Sequence, residues 1–469
     1  MTGDRENMKI PKQAEKIIHI LEKNGYEAYL VGGCVRDMLL EKEPDDWDIT
    51  TNAKPQEIKA LFYRTIDTGI KHGTVTVIMD NCGYEVTTYR IDGEYKDGRH
   101  PNHVWFTSKL AEDLKRRDFT INAMAYNKRH GLIDLFGGQK DLEQGLISCV
   151  GNPMERFSED ALRILRAIRF AGQLGFAIEE TTLKATEQLA PTLSKISAER
   201  IRIEFVKLLV SKHPDLLLLA WEHKITKVIL PEFDIMMETP QNNPHHCYNV
   251  GMHCMEVLKN VHSYWAERKK EKEREENDSK SFQIMCLSAL FHDIAKPYVK
   301  TVDEQQIDHF YGHPLKSAEL TEKILSRLKF DKDTIEQVKH LILWHDYRYS
   351  GKKAAMRHAI NKIGKDFMED LFFLQRCDVL AQNPEKQKEK LLILDKAESL
   401  FLQIQEEGEC TDLKMLAVSG KDLLALGFPQ GKEIGTILSS LLEHVLSVPE
   451  DNKKEILLEL VQKLHREKE

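Results

Sequence analysis

The chain changes character near residue 156, and that change bounds the fold more tightly than any other feature of its 469 residues. Before it, short runs rich in β-branched and aromatic residues recur between Gly, Asp and Pro. They are Glu27-Ala-Tyr-Leu-Val, Trp47-Asp-Ile-Thr-Thr, Gly73-Thr-Val-Thr-Val-Ile and Tyr84-Glu-Val-Thr-Thr-Tyr, and such runs read as strands. After it the strand signals stop, and apolar residues recur at helical spacing almost to the end. The pattern predicts the α+β class: a mixed α/β head followed by a long helical body. Pro191, Pro214 and Pro231 punctuate the body, Glu238-Thr-Pro-Gln-Asn-Asn-Pro reads as a linker, and Asn383-Pro384 opens a last helical stretch. Four divisions follow, at 1–155, 156–238, 239–385 and 386–469.

Length and composition agree with several packed units. Single cores stop growing near roughly 250–300 residues, and 41% hydrophobic with 30% charged residues excludes a collagenous or disordered chain. The formal charge of −8 argues against a protein that coats nucleic acid through net basicity, and no DNA partner is expected. The longest purely apolar run, Leu216 to Trp221, is far short of a membrane span. No apolar core follows a basic start, so no secretory signal is expected. The eight cysteines are scattered without a C-x-x-C pair, which fits neither a disulfide framework nor a cysteine zinc site. The expectation is a reduced, cytoplasmic protein, monomeric or dimeric.

Two features of the head carry chemistry. Val31-Gly32-Gly33-Cys34-Val35-Arg36-Asp37 follows a predicted strand and opens an apolar-periodic helix. Adjacent glycines let backbone N–H groups approach an anion, and Arg36 adds a mobile cation. A glycine pair alone is equally compatible with an ordinary strand–turn–helix junction. Asp45-Asp46-Trp47-Asp48-Ile49-Thr50 comes next. On a strand Asp46 and Asp48 share one face, and paired carboxylates repel unless a cation neutralises them. Such pairs commonly hold two Mg²⁺ ions for in-line phosphoryl transfer. An exposed acidic edge strand is the plain alternative, although Trp47 and Ile49 make the other face apolar.

Together, Gly32-Gly33-x-Val35-Arg36-Asp37 and Asp46-x-Asp48 resemble the start of the class II nucleotidyltransferases. That family comprises bacterial tRNA CCA-adding enzymes, their A-adding relatives and bacterial poly(A) polymerases. Further matches follow in the family's order: Leu114-Lys-Arg-Arg-Asp-Phe-Thr-Ile-Asn-Ala-Met-Ala125, Ile133-Asp-Leu-Phe-Gly-Gly138, Glu159-Asp-Ala-Leu-Arg-Ile-Leu-Arg-Ala-Ile-Arg-Phe170 and Ser197-Ala-Glu-Arg200. The resemblance implies a nucleotidyltransferase head on an elongated helical neck, body and tail. It implies Asp46 and Asp48 as catalytic Mg²⁺ ligands, and Gly32, Gly33, Arg36 and Arg117 at the nucleotide. Phe119 to Tyr126 is predicted as a helix with Asp118 as its N-cap. The loop from Asp92 to Pro101 resembles the flexible loop of family members able to add A, with Arg99-His100-Pro101 where Arg-Arg-Pro is usual. Glu85 is a further acidic group to consider near the metals.

Asp160, Arg163, Arg166 and Arg169 recur every three residues and would form one drifting helical face. The resemblance implies that Asp160 and Arg163 read the base while Arg166 and Arg169 help hold the nucleotide. A carboxylate accepts from an exocyclic amine and a guanidinium donates to the neighbouring ring nitrogen. Cytosine and adenine present that order; uracil and guanine reverse it. The implied partners are CTP, ATP and the acceptor end and elbow of tRNA, with Lys195, Arg200, Arg202 and Lys207 as candidate phosphate contacts. CCA addition, A addition and poly(A) synthesis remain open within the family.

The third division is rich in histidine. Phe291-His292-Asp293-Ile294-Ala295-Lys296-Pro297 resembles the doublet of HD-domain phosphohydrolases, in which a His, a His-Asp pair and a distant Asp surround a divalent metal. The resemblance places these at His253, His292, Asp293 and Asp378, with His313 and His345 as additional ligands of a dinuclear site. Imidazole with carboxylate suits Ni, Mn, Fe or Zn. A metal-dependent phosphohydrolase whose head merely binds nucleotide is the reading from a different class.

Overall fold

The structure, a computed structural model, describes residues 9–93, 104–272 and 278–466. Most of the Asp92–Pro101 loop and part of the charged stretch after Glu267 lie outside the described residues. The chain divides into two compact units, 1–231 and 232–469.

The first unit is built on a seven-stranded sheet. Its strands are β1 (Ala28–Val31), β2 (Asp48–Thr51), β3 (Thr65–Gly69), β4 (Thr74–Met79), β5 (Cys82–Thr88), β6 (Met124–Asn127) and β7 (Gly131–Asp134), in the order β3-β4-β5-β2-β1-β6-β7. Every neighbouring pair is antiparallel except β2 with β5. All four residues of β1 are buried, as a strand covered on both faces requires. Helix α1 (Lys12–Lys23) buries Ala14, Ile17, Ile18 and Leu21, the spacing of one helical stripe. That stripe joins Leu30, Ile49, Val75 and Val86 in one core, each such side chain contributing roughly 1.5–3 kcal/mol on burial.

The helix expected over Phe119 to Tyr126 is absent. A 3₁₀ turn at Thr120–Asn122 leads instead into β6, which pairs with β1 and β7. Local helix propensity loses here to an open strand edge that needs backbone partners. Three strands of this sheet, β3, β6 and β7, lie outside the predicted runs, as does a separate two-stranded pair, Arg90–Asp92 with Val104–Phe106. Beyond residue 156 the described strands are two-residue pairs, Ala177–Ile178 against Leu146–Ile147, and Thr301–Val302 against Asp308–His309. The predicted helical character there holds. Helix α2 (Gly33–Leu39) follows the glycine turn, and α3 (Leu162–Leu174) packs on α4 (Ala198–Leu209).

In the second unit, five helices gather the histidines: α5 (Val250–Lys272), α6 (Asp278–Phe291), α7 (His313–Arg327), α8 (Lys332–Trp344) and α9 (Met368–Leu380). The last half of α6, Ile284 to Phe291, is buried without interruption, so α6 is the central helix, apolar on every side. A separate core forms in the tail from Val418, Leu423, Leu441, Val445, Leu457 and Val461. No helix among the described residues is long and apolar enough to cross a membrane.

Candidate active site and candidate metal centre

Asp48 is the first residue of β2, and the parallel pairing of β2 with β5 sets it opposite Glu85. Ile49 is fully buried on the other face and Trp47 packs against the same core, but strict alternation is absent: Thr50 and Thr51 are buried as well, as an interior strand of the sheet allows. The strand is shorter than predicted, and Asp46 lies exposed just before it. Burial pushes the Asp48 carboxyl up, the Arg117 cation pulls it down, and Glu85 and Asp46 push it up again. Hard oxygen donors with surplus negative charge fit a Mg²⁺-sized ion.

Gly32 adopts φ +80° between β1 and α2, a conformation that favours glycine. A Cβ there would lie 3.0 Å from Arg117 Nη1 and 3.9 Å from Asp48 Oδ2. Backbone, cation and carboxylate therefore meet at one point. Arg117 is held from behind by Asp113, a fully buried carboxylate that pairs with Arg117 Nη2 at 3.5 Å and with Arg116 at 2.8 Å. Asp113 also accepts from the Thr50 hydroxyl of β2 at 3.1 Å. Burial alone would raise its pKa, yet the two arginines hold it below the usual carboxylate range. Arg117 Nε is buried and has no hydrogen-bond partner, a cost that an anion bound there would remove.

Arg36 is bonded to Asp37 and, at 2.8 Å, to Asn122 Oδ1. Asn122 in turn donates to Asp118 Oδ1 at 3.2 Å. Asp118 is not a helix cap, but a buried junction that accepts from Phe119 N at 2.8 Å and pairs with Arg166 at 2.6 Å. Despite burial, Arg166 and Arg163 hold its carboxyl well below the usual range. The Ile133–Gly138 motif buttresses this turn. Asp134 accepts from the N–H groups of Phe136, Gly138 and Gln139, and a Cβ on Gly138 would strike the Thr120 carbonyl.

The base-reading residues implied by resemblance lie at the start of α3. Asp160 precedes the helix and accepts two bonds from Arg200, at 3.2 and 2.7 Å. Arg163 pairs with Glu159 at 2.6 Å and donates to the Arg116 carbonyl at 3.0 Å. Asp160 and Arg163 are thus each clamped by other residues. Arg169 pairs with the buried Glu204 of α4 at 2.8 Å and lies 3.5 Å from the Phe170 ring centroid.

In the second unit all six singled-out residues converge. His253 lies on α5, His292-Asp293 just past α6, His313 at the start of α7, His345 just past α8 and Asp378 on α9. His253 Nε2 is 2.9 Å from Asp378 and 3.5 Å from Asp293. His292 Nε2 is 3.3 Å from Asp293, and His313 Nε2 is 3.2 Å from its other oxygen. The donor atoms form two metal-competent sets that these residues complete, His253-His292-Asp378 and Asp293-His313-His345. The Nδ1 atoms of His292, His313 and His345 face backbone carbonyls at 2.8, 2.8 and 2.7 Å. That fixes Nδ1–H and turns the Nε2 lone pairs inward, as in ligating histidines. Nε2 of His253 and of His292 and Oδ1 of Asp293 are buried and, although they lie 2.9–3.5 Å from groups of the cluster, none of these contacts has hydrogen-bond geometry. His313 and His345 point Nε2 at one another across 3.2 Å, a spacing that either a shared proton or a metal ion bound by both would satisfy. The donor set fits a divalent metal.

Sequence reasoning passed over Asp113, Gln241, His246 and the partners of Lys296. Asp113 carried a local signal, lying three and four residues before Arg116 and Arg117 on one helix face. Lys296, buried, pairs with Asp293 at 2.7 Å and donates to Gln241 at 2.9 Å. No local spacing reveals a contact between residues 55 apart.

Three family models match the chain: "Poly A polymerase head domain" over 28–148, "Probable RNA and SrmB- binding site of polymerase A" over 175–237, and a model of tRNA nucleotidyltransferase domain 2 over 310–461. A CCA-adding enzyme of Enterococcus faecalis is 36% identical over 454 residues, 96% of either chain. The chain belongs to the CCA-adding enzyme family. A CCA-adding enzyme of Limosilactobacillus reuteri is 53% identical over 201 residues, 43% of this chain; the match spans about half the length of that relative. The crystal structure of the Bacillus stearothermophilus CCA-adding enzyme in complex with CTP is similar, with a TM-score of 0.69, 27% identity and coverage of 97% and 98% of the two chains. Family membership agrees with the class II nucleotidyltransferase resemblance of the head.

Proposed function

We propose that this chain adds C, C and A to the 3′ end of tRNA from CTP and ATP, without a nucleic-acid template. The observation that carries the reading is the full-length likeness to a CCA-adding enzyme. The tRNA 3′-oxygen bonds to the α-phosphorus, the α–β bridging P–O bond breaks, and pyrophosphate leaves while the hydroxyl proton passes to solvent. CCA-adding enzymes use a divalent metal, generally Mg²⁺; here Asp46 and Asp48 would hold it, and it would supply charge neutralisation at the reacting oxygens. Gly32, Gly33, Arg36 and Arg117 bind the triphosphate, Arg117 with the unpartnered Nε that an anion would satisfy. Asp160 and Arg163 read the base, and Arg166 and Arg169 help hold the nucleotide. Residues 1–155 act as the catalytic head, 156–238 as the neck, 239–385 as an HD-type module and 386–469 as a tail contacting tRNA.

The test is incorporation of labelled CTP and ATP into tRNA ending at the discriminator base, after CC, and after CCA. Addition that stops at CCA supports the proposal. Addition of A to the CC end alone makes it an A-adding enzyme, and long A tails make it a poly(A) polymerase.

A second activity is supported by the inward Nε2 atoms of His253, His292, His313 and His345 around Asp293 and Asp378. We infer a metal-dependent phosphohydrolase in the second unit, holding Ni, Mn, Fe or Zn. Hydrolysis would insert water's oxygen at phosphorus, break the ester P–O bond and return a proton to the leaving alcohol. Full hydrolysis retained in both His292→Ala and Asp293→Ala would refute it.

A further inference from the structure

One buried carboxylate of the head takes no part in the transfer chemistry, yet it joins three parts of the site. Asp113 is fully buried on the short helix Leu110–Lys115. Its Oδ1 accepts from Arg116 Nε and Nη2, at 3.0 and 2.8 Å. Its Oδ2 accepts from the Thr50 hydroxyl at 3.1 Å and from Arg117 Nη2 at 3.5 Å. Thr50 is itself fully buried on β2, the strand that begins with Asp48. The Arg116 carbonyl, at the end of the short helix, accepts from Arg163 Nη2 at 3.0 Å.

The two arginines are held unequally. Arg116 is gripped through two nitrogens on one carboxylate oxygen, which locks its planar fork. Arg117 meets Asp113 through Nη2, while its Nη1 lies beside the Gly32 turn and its Nε is buried without a hydrogen bond. A guanidinium with donors left over beside a glycine turn is set to take the oxygens of an anion. Burial opposes the charge on Asp113, yet Arg116 and Arg117 hold its carboxyl below the usual range. The carboxylate therefore stays ionised and cancels one of two adjacent positive charges. The Thr50 bond fixes the same oxygen that faces Arg117, so the guanidinium is referenced to the strand of Asp48 and not to its own helix alone.

We propose that Asp113 is a positioning residue for nucleotidyl transfer: through Thr50 and Arg117 it sets the triphosphate-binding guanidinium against the strand that carries the metal carboxylate. The proposal rests on the reading of Arg117 as a triphosphate ligand and adds the residue that aims it. A carboxylate that merely closed its helix would act on stability, and its loss would weaken nucleotide binding whether or not Arg117 were present. A residue that acts by aiming Arg117 has nothing left to do once that guanidinium is gone.

The experiment uses full-length chains. CTP binding is measured by titration calorimetry without tRNA, and KM and kcat for CTP are measured on tRNA ending at the discriminator base. Wild type, Asp113→Asn, Arg117→Ala and the double variant close a thermodynamic cycle. Asp113→Asn is expected to weaken CTP binding and to raise KM roughly tenfold, and to add no further loss in the Arg117→Ala background. Thr50→Val keeps the carboxylate and removes the hydroxyl that fixes its Oδ2. A smaller loss is expected there, roughly threefold, which also vanishes in the Arg117→Ala background. This second cycle decides the matter by itself where Asp113→Asn lacks a cooperative thermal melt. CTP affinity unchanged in Thr50→Val and in folded Asp113→Asn overturns the proposal. Losses that simply add to that of Arg117→Ala overturn it too, since the residue would then only hold the fold. Failure of the underlying reading is distinguishable: Arg117→Ala alone would bind CTP as wild type does.

Discussion

Asp160 accepts two hydrogen bonds from Arg200, at 3.2 and 2.7 Å, and so ties the start of α3 to α4. A carboxylate gripped on one side by a guanidinium cannot swing, and its remaining acceptor capacity points one way. This gives the base-reading hypothesis a mechanical component. Asp160→Ala and Arg163→Ala are expected to relax the preference for C and A over U and G by roughly tenfold or more, in line with ~1–3 kcal/mol for an unpaired buried polar group. Triphosphate binding should change less. Incorporation measured with each of the four nucleotides decides it; a uniform loss with no change of preference would falsify the assignment.

Asp48 carries its charge at a cost, because burial, Glu85 and Asp46 all oppose ionisation. Asp48→Asn is therefore expected to abolish nucleotide incorporation, by roughly three orders of magnitude, while raising the melting temperature. Asp46→Ala, at an exposed position, should lose activity without that rise. A Tm of Asp48→Asn below wild type would contradict the electrostatic account.

Gly32→Ala combines a positive φ with a Cβ 3.0 Å from Arg117 Nη1. The backbone strain alone costs about 1–3 kcal/mol, because φ +80° with ψ −132° is open essentially to glycine only, and the displaced guanidinium is expected to weaken triphosphate binding. The expected outcome is a KM for CTP and ATP raised roughly tenfold, with the C/A preference intact. Steady-state kinetics with both nucleotides would show it, and a changed base preference with unchanged KM would count against it.

A metal held by the proposed histidine site would add to the stability of the folded chain. Mn²⁺ at 100 times its Kd should stabilise the chain by about 2.7 kcal/mol, seen as a Tm rise that a chelator reverses. His292→Ala and Asp293→Ala should abolish the rise. A rise of the same size in both variants would place the metal elsewhere.

Acid sensitivity follows from Asp118, whose carboxyl is held well below the ordinary range: burial opposes this, and Arg166 and Arg163 more than overcome it. A depressed folded-state pKa contributes stability that is complete above the unfolded value of about 3.9 and is lost as pH falls through the folded value. Asp118→Asn should be less stable than wild type near neutrality and should lose less on acidification below about pH 4. Thermal melts across pH 3–7 measure this, and parallel Tm curves for the two proteins would refute it.

Much of this protein was legible in its sequence, and the reason is physical. The pattern around Trp47-Asp-Ile located β2 and set Asp48 opposite in face to buried Ile49, although Thr50 and Thr51 are buried as well. Resemblance to the HD doublet singled out His253, His292, Asp293, His313, His345 and Asp378 among the other histidines and aspartates of the second unit, because a metal needs donors of those types on separate helices. What sequence could not settle was partnership. Phe119 to Tyr126 has local helical character and became a turn and a strand, because β1 needed a neighbour on that edge. Arg200 read as a candidate phosphate contact and is the clamp on Asp160. Asp113 is adjacent to the Arg116-Arg117 pair in sequence, but its bond to Thr50 across 63 positions exists only once the sheet has formed. Residue type and spacing determined which groups are present and which face they share. Only the tertiary structure decided which charges are spent on one another and which polar atoms, like Arg117 Nε and His292 Nε2, are left buried without a hydrogen bond.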